Sequence, residues 1–297
     1  MRKSFLFLFA VSVFLSSILQ ASAQAPQTPP PTPRVLFIFR EDVKAARTGD
    51  HEQHEIGYVR ALQKANWPTL SLALSSIAGA NDAWFISGYE SYAAMEKDFT
   101  AMRKNEVLMK EFSRLDAADA EYRTNQRGII ATLREDLSHQ VPVVIPQMRY
   151  FQINTVRVRP GHEEEWVEAR KILVEALKKA NVDTPSTVFR VAAGMPNGTF
   201  LVITPRKSLA EMDPNPARGR AVNEALGDEG IKKRQKLISD SVITSETSIY
   251  GFSPGMSYVT KEFARAGGED FWHPKPMVAL KRVSRKATEK NTARKQQ

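Results

Sequence analysis

The chain has 297 residues, no cysteine and a formal net charge of +9. Without thiols, disulfides, cysteine-ligated zinc and thiol catalysis are excluded. The charge sits at the ends: Arg2 and Lys3 carry +2 and the tail 281–297 carries +6, so the body 24–280, at +1, offers no basic field for nucleic acid.

Residues 1–23 read as a cleavable signal peptide. Arg2 and Lys3 precede an apolar run from Phe5 to Leu19, and Ala21 and Ala23 supply the small residues that signal peptidase needs. Cleavage is expected after Ala23, with export to the periplasm or beyond. The run is too short to span a bilayer and no later stretch is long enough, so no membrane span is expected. "QAPQTPPPTP" (24–33) is a proline-rich linker.

Two similar units follow, 34–141 and 148–260. The first opens on a strand, "RVLFIFR" (34–40), and a helix beginning with "HEQHE" (51–55). A hairpin turning in "GANDAWFI" comes next, then a long helix from Ser91 to Asn125 that breaks near its middle, and a last strand "GIIATL" (128–133). The second unit opens on "YFQINTVRV" (150–158). Its first helix carries Trp166, Ala169, Leu173, Ala176 and Leu177 at helical spacing. Asn197-Gly198 marks its hairpin turn, and Ser208 with Glu211 reads as a capping box for its second helix. "ETSIYGF" (246–252) is its last strand. The extension 261–297 begins with a segment whose "FWHPKP" tucks back onto the body, and it ends in a basic, disordered tail.

The two units are one unit written twice. Ala61-Leu62, Lys64-Ala65-Asn66 and Ala78-Gly79 fall on Ala176-Leu177, Lys179-Ala180-Asn181 and Ala193-Gly194 at a constant offset of 115, as Phe85 falls on Phe200. Each copy has the order βαββαβ, so the fold class is α+β, two tandem ferredoxin-like repeats. The stretch "VRPGHEEEWVEARKILVEALKKAN", with the hairpin and final strand, resembles the dimeric α/β-barrel superfamily, which includes NIPSNAP-like and antibiotic-biosynthesis-monooxygenase-like proteins. The resemblance covers nearly all of 34–260. It implies that the two copies form within one chain the barrel that such proteins form as dimers.

The resemblance also bears on cofactors. Haem-degrading members use an Asn on the first strand, a Trp near the third and a His on the second helix. Here Asn154 and Trp84 belong to different copies, and no histidine lies in 91–125 or 208–240. No haem or other cofactor is expected.

Strand alternation supplies candidate ligand residues. Phe151 and Ile153 share one face of their strand, and Tyr150, Gln152 and Asn154 share the other. The first copy has apolar Val35, Phe37 and Phe39 at the positions of that polar stripe. Gln152, Asn154, Arg190 and Tyr250 are therefore the polar candidates, and Trp84, Phe37 and Phe39 the aromatic ones. The competing reading is that the polar groups hydrogen-bond one another.

His51 and His54 are the candidate metal ligands. They stand three apart, not four as in H-E-x-x-H, so another ligand must come from elsewhere. The competing reading is a solvated helix start. Asp50 and Gln53 would cap it, and His162 in "PGHEEEW" would hold the same place in the second copy. His273 is a lesser candidate. No serine elbow, phosphate loop or dinucleotide fingerprint is present.

The functional expectation is an exported protein that binds a small apolar or aromatic ligand, or a partner, in a duplicated barrel. The alternative is a cofactor-free or metal-assisted monooxygenase-like or isomerase-like enzyme. The charged helix faces leave a homodimer open.

Overall fold

The computed structural model describes residues 31–273. The signal peptide, most of the proline-rich linker and the basic tail lie outside them. Among the described residues no helix is long and apolar enough to cross a membrane.

The first repeat runs β1 (Val35–Val43), α1 (Thr48–Lys64), β2 (Leu72–Ala78), β3 (Asp82–Tyr89), α2 (Tyr92–Lys104), α3 (Glu106–Asp119) and β4 (Arg123–Leu133). The second runs β5 (Tyr150–Val158), α4 (Glu163–Lys179), β6 (Thr187–Ala193), β7 (Thr199–Arg206), α5 (Pro216–Ser241) and β8 (Val242–Phe252). Two short helices, α6 (Lys261–Gly267) and α7 (Glu269–Trp272), follow. The eight strands close into one antiparallel barrel in the order β1-β3-β2-β8-β5-β7-β6-β4. Each repeat supplies four consecutive strands, and β2–β8 and β4–β6 form the seams between repeats. This is the dimeric α/β-barrel fold within a single chain.

Alternation along each strand sends one side chain into the barrel and the next toward the helices outside. Leu36, Ile38, Trp84 and Ile129 of the first repeat meet Phe151, Ile153, Leu201 and Phe252 of the second in one inner core. The segment after β8 closes one end of the barrel. Trp272 is buried against Phe252, Phe263 and Phe271, and its indole N–H donates to Pro146 O at 2.9 Å. His273 beside it is exposed.

The seams are tight. Gly194 has φ of +89°, and a Cβ there would stand 2.0 Å from Gly128 O across the β4–β6 seam. On the other side, Ser257 Oγ accepts the Ala73 N–H at 2.9 Å and donates to Ser253 O at 2.7 Å. Ser257→Ala leaves that buried amide without its partner, and a loss of about 1–2 kcal/mol is expected in urea unfolding. An unchanged midpoint would mean that this bond contributes nothing to the seam.

The outer layers differ between repeats. In the first, Phe37 packs with Val35, Tyr89, Met95 and Phe99 beneath α2, while Leu62, Trp67 and Leu108 tie α1 to α3. In the second, Trp166 stacks on Phe200 at 4.1 Å under α4. In α5 only Ser241 is buried, and the helix breaks at Gly227, where φ is +65°.

Three local expectations need correction. Ser208–Glu211 introduces a single 3-10 turn, and α5 starts later, capped by Asn215, whose side chain accepts the Arg218 N–H. Pro216 sets that start, because a proline at the first helical position loses no hydrogen bond. Asp50 and Gln53 cap nothing: α1 begins at Thr48, inside its own first turn by then. The long helix of the first repeat ends at Asp119 rather than Asn125, since β4 already begins at Arg123; its break falls at Asn105.

Candidate functional site

The polar stripe on β5 faces the helical layer, and α5 does not fill that layer. A cleft of about 490 Å³ lies between the outer face of β5–β7 and helices α4 and α5. Gln152, Arg170, Arg206 and Arg218 line it, together with Leu177 and Val202. It opens beside a wider groove of about 920 Å³, with which it shares Thr184, Asn215 and Arg218.

The three guanidiniums have only neutral acceptors. Arg170 donates to Leu137 O (2.9 Å) and Ser186 Oγ (2.6 Å), and Arg218 to Thr184 Oγ1 (3.1 Å). Arg206 donates to Gln152 Oε1 (2.9 Å) and Glu211 O (3.2 Å). No carboxylate lines the cleft, and none of the three is in an ion pair among the described residues. Burial, with the charge of Arg234 nearby, pushes Arg170 down to about 10. Burial also lowers Arg206 and Arg234. Glu211, in the adjoining groove, offsets part of the charge at Arg206, and partly buried positive charge beyond that is relieved by an anion. The lining offers guanidinium, amide and hydroxyl groups and no imidazole or thiolate for a haem iron, so the residues present do not fit that group.

The other candidates go elsewhere. Asn154 lies further along the same face of β5 as Gln152, and its side-chain amide donates to Ser245 Oγ (3.0 Å) and Thr247 Oγ1 (2.8 Å). Arg190 is exposed and forms a two-pronged ion pair with Glu163 at 3.0 Å. Tyr250 does not join the polar stripe; it points into the barrel with Trp84, across the β2–β8 seam. There both donate to Asp82 Oδ2, Trp84 Nε1 at 2.9 Å and Tyr250 OH at 3.2 Å, and Arg40 forms an ion pair with the same oxygen at 2.6 Å. Burial raises the Asp82 carboxyl despite these donors. Phe37 is half-buried packing, edge-on to Phe99 at 5.0 Å, and Phe39 lies on the same outward face. Phe37 fills the part of the layer that Gln152 leaves open in the second repeat.

His51 lies in no solvated helix start. It is 1% exposed, within a buried group made of Glu41 on β1, Glu55 on α1 and Asp119 at the end of α3. His51 Nε2 is 2.7 Å from Glu41 Oε2 and 4.0 Å from Asp119 Oδ1. Arg123 Nη1 closes the outer side, 2.6 Å from Glu41 Oε1 and 2.7 Å from Asp119 Oδ2. Burial pushes Glu55 up to about 9, with the charges of Glu41 and Asp119 adding to it. Burial and Glu41 push Asp119 up to about 6. Burial works against the Glu41 anion too, but its bonds to His51 and Arg123 hold it below its ordinary value. His54 turns away to Leu115 O at 2.9 Å, between the rings of Tyr58 and Tyr122. The two histidines therefore do not converge. Nor does His162 match His51, since α1 and α4 align on the same 115-residue offset and that puts Trp166 at His51 and Arg170 at Glu55.

No protein-family model matches the chain, and no curated protein does. Among solved structures, an anthrone oxidase-like protein matches with TM-score 0.48 and 12% identity over 74% of this chain and 92% of its own. A putative monooxygenase from Fusobacterium nucleatum matches with TM-score 0.45 and 11% identity, covering 74% and 93%. A mutant chlorite dismutase from Candidatus Nitrospira defluvii in complex with cyanide matches with TM-score 0.43 and 11% identity, covering 75% and 92%. What those proteins bind or transform is theirs and says nothing of this chain.

Proposed function

We propose that the protein binds a small organic anion, a carboxylate on an apolar body, in the cleft between β5–β7 and α4–α5. One observation carries this reading: Arg170, Arg206 and Arg218 line a half-enclosed space to which, among the described residues, no carboxylate contributes. Guanidinium forks match a carboxylate in shape as well as charge. Leu177, Val182, Val202 and Val222 give the rest of the ligand an apolar wall. The break at Gly227 separates the cleft-lining half of α5 from its remainder, so this half can adjust over an occupant. Export on the expected signal sequence sets this binding outside the cytoplasm. No nucleophile, base and donor converge at the cleft, so the proposal is binding and not turnover.

Thermal shift and calorimetry with benzoate, with aliphatic carboxylates and with benzamide as the uncharged control test it. At least one carboxylate is expected to raise the melting temperature while benzamide does not. Arg218→Gln, on the half-buried helix face, is expected to weaken that binding about tenfold or more, the worth of one charge-assisted hydrogen bond. Equal shifts with acid and amide, or no shift with any acid, would overturn the reading.

A further inference from the structure

In the first repeat the corresponding layer is closed, yet it holds the most concentrated group of ligating atoms among the described residues. One ligand atom each from Glu41, His51, Glu55 and Asp119 lies within 4.8 Å of all the others. Atoms that share one divalent cation at about 2.0–2.6 Å are at most about 4–5 Å apart. The spread of these four atoms is that of ligands around a single ion.

The group is more than a patch of acids. Asp119 is fully buried, and neither of its oxygens has an aligned hydrogen bond; Glu55 Oε1, on a side chain 5% exposed, has no partner either. Buried carboxylate oxygens are normally satisfied, and one left open at the centre of such a group calls for an occupant. Arg123 engages the outer oxygens, Glu41 Oε1 and Asp119 Oδ2, while Glu41 Oε2 and Asp119 Oδ1 are the ones near His51. Among the described residues Arg123 is the one cation of the group and is shared with the exposed Asp116, so an ion that displaces the Glu55 proton would meet an excess of negative charge.

We infer that Glu41, His51, Glu55 and Asp119 form a binding site for one first-row divalent cation, such as Mn²⁺ or Zn²⁺, in the helical layer of the first repeat. An imidazole among carboxylates selects such ions over calcium and magnesium, which favour oxygen alone. The site is separate from the anion cleft, which belongs to the second repeat. At the aligned positions on its first strand and first helix that repeat has Val156, Trp166 and Arg170, which bind no cation.

The test uses the full chain stripped of metal, with Mn²⁺ or Zn²⁺ added either to the folded protein or before refolding, so that burial does not hide the site. One ion per chain is expected to remain through gel filtration, with a Kd of about 10 μM or tighter. Glu55→Gln keeps shape and removes a ligand charge, and it is expected to raise Kd at least tenfold. His51→Gln is expected to do the same and to abolish the nitrogen coupling in the Mn²⁺ electron-spin-echo spectrum. His54→Gln should leave both unchanged. No retained ion under either loading, or an affinity indifferent to Glu55→Gln and His51→Gln, would overturn the assignment, as would a loss on His54→Gln equal to theirs.

Discussion

Asp82→Ala is expected to lower the unfolding free energy by about 2–4 kcal/mol, because two buried donors lose their acceptor and Arg40 keeps only Asp42 as its partner. Three groups meet this carboxylate inside the barrel: Arg40 as an ion pair, and Trp84 Nε1 and Tyr250 OH as hydrogen-bond donors. Two come from the first repeat and one from the second, so the loss falls on the β2–β8 seam as well as on the core. Tyr250→Phe removes a single bond from the same centre and should cost only about 1 kcal/mol. Urea unfolding followed by tryptophan fluorescence measures both. A change within about 0.5 kcal/mol for Asp82→Ala would show that the two donors gain nothing from this carboxylate and that Asp42 suffices as the counter-charge of Arg40.

The second large effect concerns pH. Glu55 faces Glu41 from β1 and Asp119 and Asp116 from α3, with Arg123 of β4 as the opposing charge and His51 one turn before it on α1. Its folded value, pushed up to about 9 from 4.5, means that the folded protein keeps a proton the unfolded chain gives up. The stability held below pH 4.5 is therefore lost as pH rises toward 9. At about 1.4 kcal/mol per unit, the metal-free protein should lose on the order of 3 kcal/mol between pH 6 and 9. The neighbours do not confuse that window. Asp119 has the same sign, but its loss is largely complete by about pH 6. Glu41, held low, has the opposite sign; its contribution fails only as pH falls below the ordinary carboxylate range. In chelator, Glu55→Gln should flatten the alkaline decline, and a decline as steep in the variant as in the parent would assign it to another group.

Much of the architecture was legible because it is local. Strand alternation, helical spacing and the 115-residue offset all lie within short windows, and together they give two βαββαβ units. Which face of a strand points inward was not legible. In a barrel wrapped by helices both faces are covered, so hydrophobicity does not separate them, and Tyr250 lies on the inward face rather than with the polar stripe. The difference between Phe37 and Gln152 was visible as a diverged stripe, but its meaning depended on how far α5 stands from the sheet. For the His51 group, the partners Glu41 and Asp119 come from other elements. One signal was available nearer by. His51 and Glu55 stand four apart and share a helix face, whereas His54, three residues on, is only the more conspicuous neighbour in the sequence. Glu41 was also conspicuous, as an acid at an outward position on a strand whose other outward residues are apolar.

Fusion of the two repeats has a consequence beyond the barrel itself. In a twofold homodimer every substitution appears twice, so an acid placed beneath one first helix is placed beneath the other, and a cavity opened on one side opens on both. A single chain is released from that mirror. Here one half has gathered charge into a sealed layer while the other has opened its layer and lined it with arginine. Each half carries its own departure in the outer layer while the strands of both still close one barrel.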